Sequence, residues 1–264
     1  DKRRNMTKFI TFISGKGGVG KSTSALNLAA AIKHFGKDVT VVDANVTTPN
    51  IGLHLGVPVV PVNLHNVLIG KKHIAEAVYM HHSGVKVVPA GLGLDELRHL
   101  NVDNLKKKIA GLRGMTDFVI IDGAAGLGRE ALAAMNAADE ILVVTNPELP
   151  AVTDALKTIK LAEELKIPVR GVVVTRTKDN NKDMSIRNIE IMTEMPVIGI
   201  IPEDSNIREA LIKKDMAVNI LPDTPASIGY KQLAASLLGI EFLPDNQSVK
   251  KGIFSKLLER FGFV

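Results

Sequence analysis

The sequence predicts an α/β fold, a mostly parallel sheet with helices on both faces. Three observations carry that expectation. Short Val/Ile-rich runs alternate with segments of helical spacing through most of the 264 residues, the pattern of strands joined by helical crossovers. The runs are apolar throughout rather than at every second residue, as strands covered on both faces must be. A glycine-rich loop joins the first run to the first helix, and later runs end in Asp or Thr. Polar groups therefore collect at the carboxyl ends of the strands, where open α/β sheets hold their ligands.

The first run is Phe9-Ile10-Thr11-Phe12-Ile13. Gly15-Lys16-Gly17-Gly18-Val19-Gly20-Lys21-Ser22 follows and satisfies G-x-x-x-x-G-K-[ST], the phosphate-binding loop. After it, Leu26, Leu28, Ala29 and Ile32 recur at helical spacing. Strand, loop and helix are the context this motif needs: glycines let backbone N–H groups turn toward phosphates, and the helix start adds its dipole. Lys21 is placed to reach the β- and γ-phosphates of a nucleotide, Ser22 to ligate Mg²⁺, and Thr23 to continue the binding turn. Val39-Thr40-Val41-Val42 then ends at Asp43, and Val85-Lys86-Val87-Val88-Pro89 follows an irregular stretch. Phe118-Val119-Ile120-Ile121 ends at Asp122, and Ile141-Leu142-Val143-Val144 at Thr145. Gly171-Val172-Val173-Val174 and Val197-Ile198-Gly199-Ile200 complete the strands. Helices are expected over residues 103–112, 151–165, 207–213 and 225–238. Right-handed crossovers would join the strands into one sheet.

Composition bounds the function. Hydrophobic residues make up 45% with no Trp, which suits an aliphatic parallel sheet. No apolar run reaches membrane-spanning length, and Asp1 to Asn5 lead straight into the first strand, so no secretory leader is expected. The absence of Cys excludes thiolate-bound iron–sulfur clusters. The net charge of +5 suits an anionic membrane surface or nucleic acid. His54, His65, His73, His81, His82 and His99 show no compact metal-ligand spacing, and the adjacent pair His81-His82 reads as a surface turn. Lys106-Lys107-Lys108 reads as a solvated helix face.

Lys16, directly after the first glycine, gives the loop the form K-G-G-V-G-K-S. This resembles the deviant Walker A signature of the MinD/ParA family of P-loop ATPases. Thr145-Asn146-Pro147-Glu148 resembles a MinD segment, as does Ile201-Pro202-Glu203-Asp204, so the likeness is closer to MinD than to ParA. The resemblance implies that Lys16 crosses a homodimer interface to the partner's nucleotide. It also implies that Asp122 serves as a Walker B aspartate near Mg²⁺, with Asp43 beside it. Thr175, Arg176, Pro202, Glu203 and Asp204 would lie against the base, although turn chemistry alone also explains Pro202-Glu203-Asp204. Gly123 to Gly128 would be a switch loop, lacking the family's usual proline. Where the family has a second switch aspartate, this chain has Asn45. Asn45 cannot take a proton from water, so slow hydrolysis is expected. The catalytic set is then Lys16, Lys21, Asp43 and Asn45, the metal set Ser22, Asp43 and Asp122, and the phosphate cradle residues 15–23.

The tail is the second informative stretch. At about 100° per residue, Ile253, Phe254, Leu257, Leu258 and Phe261 share one arc, flanked by Lys256 and Arg260 and preceded by Lys250 and Lys251. That is the pattern of an interfacial membrane helix, and it resembles the membrane-targeting end of MinD. Residues 1–240 are therefore expected to form the ATPase domain, 241–249 a linker containing Pro244, Asp245 and Asn246, and 250–264 the helix. One such helix should bind weakly, and two on a dimer gain ~10²-fold by effective concentration.

The resulting expectation is an ATP- and Mg²⁺-dependent ATPase that dimerises, attaches to the inner face of the cell membrane and positions a division site or surface structure. An activator or cargo protein is implied, and nucleic acid is not. A ParA-like partition ATPase on DNA is the alternative, and the apolar arc argues against it. A hydrolysis-poor membrane scaffold is another, motivated by Asn45.

Overall fold

The computed structural model describes residues 7–93, 97, 100–178, 180 and 182–244. The strands are β1 (Lys8–Ser14), β2 (Val39–Asp43), β3 (Tyr79–Met80), β4 (Lys86–Val88), β5 (Phe118–Ala125), β6 (Glu140–Thr145), β7 (Val169–Thr177) and β8 (Val197–Pro202). They form one sheet in the order β3-β4-β2-β5-β1-β6-β7-β8. Every neighbouring pair is parallel except β3 with β4, which is antiparallel at the edge. The helices are α1 (Lys21–His34), α2 (Ile51–His54), α3 (Leu64–Leu68), α4 (Leu105–Ile109), α5 (Arg129–Ala137), α6 (Leu149–Glu164), α7 (Ile186–Thr193), α8 (Asn206–Ile212), α9 (Ala217–Ile220) and α10 (Pro225–Leu238).

Burial on both faces follows from the strand period of two. Ile10 and Phe12 of β1 join a cluster with α1, α9 and α10 on one side. Phe9 and Ile13 face the other side, covered by α3 to α5 and by α5 to α7. Thr11, the polar residue in that run, is buried and donates to Ala134 O of α5 at 2.8 Å, so no hydroxyl is stranded. β1 lies centrally between β5 and β6, so the loop after it opens where the connections diverge to either side.

Several local expectations change. β5 does not close at Asp122 but runs on to Ala125, with Ser14 paired to Ala125. The reason is size: a Cβ on Gly123 would come within 3.0 Å of Phe12 O and 3.2 Å of Ala134 Cβ, so only a small residue keeps the ladder here. The expected switch loop therefore begins in strand, and its turn starts at Gly126, with φ at 82°. Residues 102–112 form three consecutive pieces, 3₁₀, α and 3₁₀, rather than one helix. α6 begins at Leu149 because Pro150 is tolerated in a first turn. Two helices that periodicity missed, α5 and α7, are short, and α5 is rich in alanine, which favours helix without marking a face. α10 spans the expected residues, opening on Pro225 and closing on left-handed Gly239.

Candidate functional site

The site grows from the turn between β1 and α1. Gly18 and Gly20 have φ of 79° and 86°, left-handed conformations that a side chain resists. Gly15 has a different constraint. A Cβ there would sit 2.3 Å from Asp154 O on α6, so this position is glycine because a helix backbone crosses it. Val19 is buried, and its carbonyl accepts the Thr175 hydroxyl at 2.6 Å. Thr175 thus ties the end of β7 to the loop.

Lys21, buried at the start of α1, makes a 2.6 Å ion pair with Asp122 Oδ1. Asp122 and Asp43 are register partners on β5 and β2, and both are fully buried. Asp43 Oδ2 accepts from the N–H groups of Asn50 and Ile51 at 2.9 Å each, and Oδ1 from Asn45 N–H at 3.3 Å. Burial, then the negative charge of Asp122, push the Asp43 carboxyl up to about 7 against these hydrogen bonds and Lys21. Two carboxylates facing one ammonium leave an unbalanced negative charge that a proton or a cation must offset. Asp122 Oδ2 and Ser14 Oγ are buried without a hydrogen-bond partner. A divalent cation and a phosphate chain would supply what these groups lack, so the residues fit Mg²⁺ and a nucleotide.

Above them lies a cavity of about 640 Å³, lined by Ser14, Gly17, Gly18, Gly20, Lys21, Ser22, Thr23, Asn45 and Arg176, among others. A second cavity of about 640 Å³ shares Gly20, Thr23 and Arg176 with it and adds Thr175, Pro202, Glu203, Asp204 and Tyr230. Arg176, exposed and left-handed at φ 55°, stands between the two. Lys16 is exposed and lines neither.

Three expected contacts have local partners. Both polar atoms of the Asn45 side chain engage Thr48: Nδ2 donates to Thr48 O at 2.7 Å and Oδ1 accepts the Thr48 hydroxyl at 3.0 Å. Asp204 accepts from Asn206 N–H at 2.9 Å and from Ala226 N–H, at the start of α10, at 3.1 Å. Glu203 pairs with Lys178 at 2.8 Å on the surface. The residues Ile253, Phe254, Leu257, Leu258 and Phe261 lie outside the described residues.

Sequence reasoning missed several lining groups. His54, Arg129 and Glu130 border the first cavity, together with Thr47 and Thr48 of the switch segment that holds Asn45. Thr47 donates to Glu130 through both its N–H and its hydroxyl, joining the loop after β2 to the first turn of α5. Arg129 and Glu130 directly follow the glycines of the expected switch loop, and that adjacency was a usable signal. Tyr230 had none. It reaches the second cavity from α10, with its hydroxyl 3.1 Å from Ser24 Oγ, and burial pushes its phenol up to about 12.

Over residues 10–218 the chain matches the family described as the CobQ/CobB/MinD/ParA nucleotide binding domain. It is 36% identical to an uncharacterised ATP-binding protein of Methanocaldococcus jannaschii over 250 residues, 95% of either chain. Its structure is similar to that of the septum site-determining protein MinD of Pyrococcus horikoshii complexed with Mg-ADP. There the TM-score is 0.84 at 32% identity, covering 88% of this chain and 96% of that one. It is also similar to the MinC:MinD cell division protein complex of Aquifex aeolicus, with a TM-score of 0.79 at 25% identity, covering 92% of this chain and all of that one.

Proposed function

The chain belongs to the CobQ/CobB/MinD/ParA nucleotide-binding family, and from that premise we propose that it is a MinD-like ATPase that couples nucleotide state to position. The observation that carries the reading is the Lys21–Asp122 ion pair beneath the glycine loop, with the second Asp122 oxygen unpartnered. ATP is the substrate. Water attacks its γ-phosphorus, the bond to the bridging oxygen breaks, and ADP and phosphate leave. The loop residues 15–20 cradle the phosphates, Lys21 turns from Asp122 to the terminal phosphates, and Thr175 holds the loop through Val19. Ser22, Asp43 and Asp122 would hold Mg²⁺, which would supply positive charge to offset that of the phosphates. Arg176 separates the phosphate cavity from the one that would take the base, lined by Pro202, Glu203, Asp204 and Tyr230.

Lys16 is free at the surface to reach a second chain, so ATP favours a homodimer. Residues 250–264 then place two apolar arcs on anionic lipid at the inner face of the membrane. Among the described residues no helix is long and apolar enough to cross a membrane, which suits peripheral attachment. The Pyrococcus neighbour carries Mg-ADP and the Aquifex neighbour a MinC partner. Both support a nucleotide switch with a protein partner here. A slow, scaffold-like turnover is favoured by one observation: Nδ2 and Oδ1 of Asn45 each bond to Thr48.

The test is co-sedimentation of the full chain with anionic liposomes in ATP, ADP or no nucleotide. Binding is expected with ATP alone and should vanish in Lys21→Ala. Equal binding in all three states would overturn the reading.

A further inference from the structure

We infer that His81, His82 and Asp215 form a binding site for a borderline transition-metal cation of the Zn²⁺, Co²⁺ or Ni²⁺ type, separate from the nucleotide site. Adjacent residues on a strand point to opposite faces and cannot share an ion. Here the pair sits in a tight turn instead. Gly84 N–H donates to His81 O at 2.9 Å, and Gly84 has φ of 83°. The turn swings both rings to one side, with centroids 4.0 Å apart. The third ligand comes from far along the chain, beyond the reach of any local spacing. Asp215, between α8 and α9, is buried and places Oδ2 2.7 Å from His82 Nε2. One donor atom from each of the three lies within 4.8 Å of the others. Tetrahedral bonds of about 2.0–2.1 Å set ligand atoms about 3.3 Å apart, so small side-chain movements suffice.

The surrounding bonds suit ligation. Ser83 holds the His81 ring through Nδ1, with Oγ at 2.8 Å and its N–H donating at 3.3 Å. His81 Nε2 donates its proton to Lys214 O at 3.4 Å in the metal-free ring; a cation at Nε2 would move that proton to Nδ1, where Ser83 Oγ can accept it. Asp215 accepts from Met216 N–H at 2.7 Å and Asn219 Nδ2 at 2.8 Å, the outer support that metal-bound carboxylates have. His82 is 67% exposed, which opens a route for the ion and a position for water. Two imidazoles and one carboxylate select a borderline cation over Mg²⁺ or Ca²⁺, which take oxygen ligands. A bound ion would fasten the β3–β4 turn to the segment between α8 and α9.

The experiment is titration of tag-free full chain with Co²⁺ or Zn²⁺ in excess Mg²⁺, followed by calorimetry and, for Co²⁺, visible absorption. One saturable equivalent per chain, a tetrahedral cobalt spectrum and a raised thermal midpoint are expected. His82→Ala and Asp215→Asn should each weaken binding at least tenfold. His82 is exposed, so its variant reports on ligation even if Asp215→Asn fails to fold. No saturable binding, or unchanged binding in His82→Ala, would overturn the proposal and leave a plain His–Asp contact.

Discussion

At the scale of single residues, the buried carboxylate of Asp43 sets a pH dependence. Its folded pKa is pushed up to about 7 by burial and by Asp122, above the ordinary value near 4 in an unfolded chain. The folded state therefore binds more protons between these values. Its contribution to stability is complete below about pH 4 and is lost as pH rises through about 7, at up to about 1.4 kcal/mol per pH unit. Denaturant titrations of the nucleotide-free chain from pH 5 to 8 should show this loss, and Asp43→Asn should flatten it. An unchanged slope in that variant would assign the effect to another group. Asn45 sits in the same loop. An Asp there would turn a donor to Thr48 O at 2.7 Å into an acceptor facing an acceptor. The repulsion should swing the carboxylate toward the cavity that Asn45 already lines. Asn45→Asp is expected to raise single-turnover ATP hydrolysis, by part of the ~10²–10⁴-fold that a general base supplies, without tightening ATP binding. An unchanged rate would leave Asn45 as a turn residue.

At the scale of elements, the glycines of one loop answer to different neighbours. A Cβ on Gly15 meets the Asp154 carbonyl of α6 at 2.3 Å, whereas one on Gly17 meets nothing within 4 Å. Gly15→Ala must push β1 and α6 apart, a core overpacking that costs about 1–3 kcal/mol. Gly17→Ala should unfold at nearly the wild-type temperature in the absence of nucleotide. Calorimetry of the two variants decides this, and equal losses would refute the packing argument. Thr175 belongs to the same logic. Its hydroxyl is buried against Val19 O, so it stabilises the loop from the end of β7.

At the scale of the whole molecule, the last described segment leaves α10 beside the far end of α1. There Phe242 lies edge-on to Phe35, with ring centroids 5.6 Å apart. α1 runs from the loop to that point over 14 residues, about 21 Å at the helical rise, so Phe242 lies well away from the phosphate cavity. Removing residues 250–264 is therefore expected to abolish liposome binding while sparing ATP-dependent dimerisation. Lys16→Ala is expected to keep ATP affinity and lose the dimer, by light scattering. Dimers of normal yield in Lys16→Ala would remove the surface lysine from the proposed switch.

The sequence by itself determined the α/β class, the succession of the main strands along the chain and the place of the glycine loop, because each rests on local pattern: apolar runs, helical spacing and a contiguous motif. It also marked Lys21, Asp43 and Asp122 as strand-end chemistry. Only the tertiary structure decided what those groups touch. It paired Lys21 with Asp122, put Asp43 beside them through strand register, and engaged Asn45 with Thr48. It also carried β5 past Asp122, since Gly123 faces Phe12 and Ala134 across the fold. Tyr230 and Asp215 came to their sites from distant segments. Such contacts depend on which surfaces meet when helices cover a sheet, and no window of neighbouring residues records that meeting.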